Sequence, residues 1–61
     1  MTYSELKKIL KKNGCYIIRE GANHEIWISS KTGEQFTVGR HPKQEVPVGT
    51  LKSIKKSAGI D

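Results

Sequence analysis

The spacing of apolar residues changes twice along this chain, and no other feature constrains the fold as tightly. Tyr3, Leu6, Ile9 and Leu10 follow the 3.6-residue repeat of an amphipathic helix. Three short β-branched and aromatic runs come next, residues 15–19, His24–Ser29 and residues 35–38, each closed by turn residues. Leu51, Ile54 and Ala58 then return to helical spacing. The order is therefore α-β-β-β-α. Neither two short helices nor so small a sheet is stable alone. Packing both helices on one face of a three-stranded antiparallel sheet gives an α+β two-layer domain with a single core.

Local signals agree with that order. Thr2-Tyr3-Ser4-Glu5 has the form of a capping box, and Asn13-Gly14 is a stop, so the spacing predicts a helix over Tyr3–Lys12. Glu20-Gly21-Ala22-Asn23 and Ser30-Lys31-Thr32-Gly33 are turn material, which makes the strands a meander. Residues 39–46 form a polar loop containing Pro42, and Pro47-Val48-Gly49-Thr50 leads into the last helix. Gly59 is its stop, with Ile60 placed to fold back on the final turn.

With 61 residues the chain is expected to be one domain, residues 1–61. A domain this short buries only ~60% of the surface that its unfolded chain exposes. It has no room for a deep cavity beside its core, so any site must be shallow and its substrate gripped from outside. Eleven Lys and Arg against six Asp and Glu give a formal charge of +5, which attracts polyanions. Lys7, Lys8, Lys11 and Lys12 of the first helix and Lys52, Lys55 and Lys56 of the second could form one basic rim holding phosphates, or simply solvate two helix faces. A lone cysteine, Cys15, excludes an intrachain disulfide and fits a reducing compartment. The charged N-terminal segment is no signal peptide, and no run is long and apolar enough for a membrane span, so the expected location is cytoplasmic.

Chemistry narrows to few residues. Glu5, Glu20, Glu25, Glu34, Glu45 and Asp61 are scattered, and one Cys with two His makes no zinc motif. The glycines lie in separate turns, so no phosphate-cradling loop is present. No metal or cofactor is expected. His24 and His41 remain as groups that exchange protons near neutrality. RNA carries its own nucleophile, the 2′-hydroxyl, so a cationic surface and one proton-transfer group could cleave it. The plainer alternative makes His24 a turn residue bonded to backbone, and His41 a loop residue before Pro42. Trp27 is either a core residue or a stacking platform. Alternation puts His24, Ile26 and Ile28 on one face and Glu25 and Trp27 on the other, without saying which face meets the helices.

These residues also carry a resemblance. Gly21-x-Asn23-His24-x-Ile26-Trp27, downstream of Arg19, resembles the G-S-H motif of HicA toxins with its following apolar and aromatic pair. Gly49-Thr50-Leu51-Lys52-x-Ile54-Lys55-x-x-Ala58-Gly59-Ile60 is similar to the family's C-terminal G-T-L-[RK]-x-I-L-K-x-A-G signature. Thr32-Gly33 and Phe36-Thr37-Val38 leading to His41 look like the family's last strand and its following histidine, and Leu6, Leu10 and Gly14 match its start. The likeness covers nearly the whole chain. Asn23 stands where Ser is usual, Gly39 where Pro is frequent, Cys15-Tyr16 in place of the commoner Phe, and Lys55 in place of Leu.

The resemblance implies a double-stranded-RNA-binding-domain-like fold and a messenger-RNA interferase whose catalytic histidine maps onto His24. It also implies a HicB-type antitoxin that covers the site, with DNA met only indirectly through that antitoxin. The lysines above and Arg19 are the expected RNA contacts. Gly21, Asn23, Trp27, Arg40 and His41 are the supporting candidates. Two rivals stand beside this reading: a non-catalytic RNA-binding module, and an interaction protein that docks a partner on its Trp27 face.

Overall fold

The structure is a computed structural model that describes residues 1–60. Its elements run α1 (Tyr3–Lys12), β1 (Cys15–Glu20), β2 (His24–Ser29), β3 (Gln35–Gly39) and α2 (Val48–Ala58), the order that the apolar spacing predicts. The strands form one antiparallel sheet in the order β1-β2-β3. Helix α1 lies mainly against β1, and α2 against β3 and β2.

Both ends of α1 form as its sequence dictates. The Thr2 N–H donates to Glu5 Oε1 at 2.9 Å, and the Glu5 N–H donates to Thr2 Oγ1 at 3.4 Å, completing the capping box. Gly14 follows the helix at φ 81°, and a Cβ there would fall 2.5 Å from Ser30 Oγ. Glycine at this position therefore serves both the turn and the close approach of the β2–β3 turn. At the far end, Gly59 has φ 75° and its N–H donates to the Lys56 carbonyl, while the Ile60 N–H donates to that of Lys55 at 2.9 Å. That pair is a Schellman motif, and Ile60 packs on the core as its position suggests. Helix α2 has no side-chain cap at its start, where Pro47 is the capping residue.

Tyr3, Leu6 and Leu10 of α1 meet Trp27, Phe36 and Val38 of the sheet, with Ile54 and Ala58 of α2 completing the layer. Leu6 and Leu10 are wholly buried, and each contributes about 1.5–3 kcal/mol by leaving water. The structure settles the face of β2. Glu25, Trp27 and Ser29 point toward the helices and His24, Ile26 and Ile28 away from them; Trp27 is only 2% exposed. A stacking role for Trp27, and a partner docked on its face, are thereby overturned. The indole can be buried because its Nε1–H donates to Glu25 Oε1 at 3.0 Å. Two residues on, the buried Ser29 Oγ donates to the Ala58 carbonyl at 2.9 Å, tying β2 to the end of α2.

Strand β1 departs from simple alternation. Its register with β2 slips by one residue between Ile17 and Arg19, a bulge at Ile18. Only Cys15 of its six residues is buried, and Tyr16, Ile17 and Ile18 are all exposed.

Candidate functional site

The first hairpin sets the position of His24. The Gly21 N–H donates to the His24 carbonyl at 2.7 Å, closing the turn over Ala22 and Asn23, so His24 opens β2. Across the sheet it pairs with Gly39, the last residue of β3. Arg40 follows and grips the same turn from the other side. Its Nη1 donates to the Gly21 and Ala22 carbonyls, both at 3.2 Å, and its backbone N–H donates to the Asn23 carbonyl at 3.4 Å. A Cβ on Gly39 would lie 2.7 Å from Tyr3 Cζ, so this position is open to glycine because the Tyr3 ring lies against it.

His41 is placed by the loop between β3 and α2, which is pinned to the start of α1. The first N–H groups of a helix lack partners within it. Here the Tyr3 N–H donates to the Gln44 carbonyl and the Ser4 N–H to the Pro42 carbonyl, each at 3.0 Å. The Gln44 N–H donates to the His41 carbonyl at 3.2 Å, and Val46 is buried in the core just beyond. A loop that the sequence shows only as polar is thus anchored at both ends, with His41 between the anchors.

These segments enclose an open depression of about 430 Å³, lined by Asn23, His24, Arg40 and His41 together with Tyr3 and Thr50. Both histidines are exposed, and neither imidazole makes a hydrogen bond among the described residues. His24 is therefore no turn residue locked to backbone through its ring. Thr50 brings the first turn of α2 to the rim, and that turn has no acidic residue and no side-chain cap. Free N–H groups at a helix start favour an anion nearby. A second shallow depression, about 470 Å³, lies between β3 and α2 with Gln35, Thr37, Ser53 and Ser57 on its walls. No three His, Cys, Asp or Glu side chains cluster among the described residues.

The lysines stand apart from this depression. Lys8, Lys11, Lys12, Lys52 and Lys56 are exposed, as is Arg19, and Lys55 is half-buried. Lys7 is a correction to the expected rim. Its Nζ lies 3.0 Å from Glu25 Oε1 in a pair whose side chains are 18% and 13% exposed, so it serves the fold and is not free for phosphate. The same Glu25 oxygen holds Trp27, which joins α1, β2 and the core through one carboxylate. The cation beside His24 is Arg40, which composition alone could not separate from ten other Lys and Arg residues. Tyr3, Thr37, Gly39, Gln44 and Thr50 also line the depression without being among the candidates read from the sequence. Tyr3 carries the pattern of a core residue, and only the pairing of loop with helix shows its edge reaching the depression.

Two comparisons bear on identity. The family described as the HicA toxin of bacterial toxin-antitoxin matches residues 3–60. A curated relative, "Probable mRNA interferase HicA 2" of Photorhabdus laumondii subsp. laumondii, is 36% identical, and the match covers 98% of each chain. No helix among the described residues is long and apolar enough to cross a membrane. The match over nearly the full length, with the motifs around His24 and Gly59 in place, means that this chain belongs to the HicA toxin family.

Proposed function

We propose that the protein is the toxin of a toxin–antitoxin pair, that it cleaves messenger RNA without a metal ion, and that His24 moves a proton in the reaction. One observation carries this reading: His24 is exposed in an open depression, beside a guanidinium that also holds its turn. The name of the curated relative, an mRNA interferase, supports the substrate. A shallow, cation-edged site suits a polymer held from outside. The remaining donors of the Arg40 guanidinium have no partner among the described residues and are available to a phosphate oxygen. The exposed lysines and Arg19 supply affinity along the strand.

In this scheme the 2′-oxygen attacks the neighbouring phosphorus and the bond to the 5′-oxygen breaks. The products are a 2′,3′-cyclic phosphate and a free 5′-hydroxyl. Arg40 offsets charge building on the phosphoryl oxygens. A HicB-type antitoxin would cover the depression and hold the toxin inactive in the cytoplasm, and contact with DNA would come through that antitoxin alone.

The test is to incubate the purified protein with a long RNA, with and without excess chelator, and to identify the new ends. Cutting in both conditions, with cyclic phosphate ends, is the expected result. Cutting that chelator abolishes would overturn the metal-free scheme. RNA that is bound and shifted but left intact would replace the nuclease with a binding module.

A further inference from the structure

We propose that His41 is a second catalytic group, working with His24 as an acid–base pair across the depression. This rests on the RNA-cleaving reading above and supplies the other half of its proton balance. When the 2′-oxygen forms its bond to phosphorus, its proton must leave. When the bond from phosphorus to the 5′-oxygen breaks, that oxygen must gain one. A neutral imidazole takes the first proton and an imidazolium gives the second, so the pair ends with its protonation states exchanged and resets through water. One histidine cannot hold both states in a single concerted step.

The lining of the depression leaves one residue for the second role. Its titratable or charged members are His24, His41, Tyr3 from α1 and Arg40 from the loop; no carboxylate lines it. Thr50 from α2 and Asn23 from the turn carry no charge. Neither a phenol nor a guanidinium is suited to exchanging protons at neutrality. A histidine is.

The fold also ties the two imidazole-bearing segments together. Arg40 immediately precedes His41, and its three hydrogen bonds run to the carbonyls of Gly21, Ala22 and Asn23, the residues immediately before His24. On the other side of His41, the Pro42 carbonyl is held by Ser4 and that of His41 by Gln44. Both histidines are thus fixed at the backbone while their rings stay exposed, as two groups acting on one phosphodiester require.

The experiment compares wild type, His24→Ala, His41→Ala and His41→Gln, with folding checked by circular dichroism and RNA affinity measured for each. Two substrates are used: an RNA with a mapped cleavage position, and the same RNA with sulfur replacing the 5′-bridging oxygen there. On ordinary RNA each variant should lose at least about 10²-fold in single-turnover rate, with little change in affinity. A thiolate leaves without a proton, so the sulfur substrate should restore the variant lacking the acid and leave the one lacking the base inactive. The wild-type rate should be bell-shaped in pH, each variant losing one limb. His41 variants that cleave at the wild-type rate, or lose affinity in place of rate, would overturn the pair, as would sulfur rescuing neither histidine variant. Full cleavage by His24→Ala would instead sink the reading on which the pair rests.

Discussion

Gly39 shows how one side chain, or its lack, positions this site. The Tyr3 ring occupies the space that a Cβ would need, so Gly39→Ala forces ring or strand to shift. Overpacking of this kind costs about 1–3 kcal/mol, and a lowered denaturant midpoint with an unchanged slope would show it. Glu25 is the counterpart on β2, holding both Lys7 and Trp27. Glu25→Ala leaves a mostly buried ammonium and a buried indole N–H without a partner, and should cost about 2–4 kcal/mol. Lys7→Met should cost less, because the carboxylate keeps the Trp27 bond. His24 and His41 stand out as candidates in the sequence because so few residue types move protons near neutrality, and the family resemblance, not residue chemistry, sets His24 ahead. The face of Trp27 was not legible. Alternation yields two sets of residues, and the choice depends on partners two elements away along the chain, Lys7 for Glu25 and Ala58 for Ser29. For the same reason Lys7 could not be told from Lys8 by pattern.

The elements themselves were the most legible part, since their ends are written in local chemistry. The capping box of α1 and the Gly59 stop of α2 depend on residues within five positions of each other. Hydrogen bonds from the Thr2 backbone and hydroxyl hold the Glu5 carboxyl below its usual value. A group lowered on folding stabilises the folded state above its ordinary pKa, and that contribution is lost as the pH falls through the folded value. Helix α1 should therefore fray first on the acid side, and Glu5→Gln should flatten the acid limb of stability against pH. Less legible was the joint between the β2–β3 turn and α2. There Ser29 and Thr32 donate to the carbonyls of Ala58 and Ser57, and Thr32 accepts from the Glu34 N–H. Ser29→Ala leaves a buried carbonyl unpaired and should cost about 1–3 kcal/mol, seen as a lower melting temperature. The bulge in β1 was invisible too, because residues 15–19 carry no glycine or proline to mark it.

Charge acts over the entire surface, and under the proposed function its consequence would be a salt-dependent grip on RNA. Lys8, Lys11, Lys12, Lys52 and Lys56 lie outside the depression, so they should govern affinity and not the chemical step. Replacing Lys52 and Lys56 by Gln should weaken RNA binding and flatten its dependence on log salt by about 0.7 per lost phosphate contact. The single-turnover rate at saturating protein should stay unchanged. What the sequence could not show is how three separated segments, the first hairpin, the loop after β3 and the start of α1, converge on one place. That convergence runs through backbone hydrogen bonds and the Arg40 guanidinium, all of them ending on main-chain carbonyls that leave no trace in residue type. The central claim is that an exposed imidazole at the head of β2 carries the proton transfer of RNA cleavage. Its most direct test is the single-turnover cleavage rate of wild type against His24→Ala, in excess chelator and at protein concentrations that saturate the RNA. A loss of about 10²-fold or more with folding and affinity intact is the predicted result, and a variant that cuts as fast as wild type would contradict it.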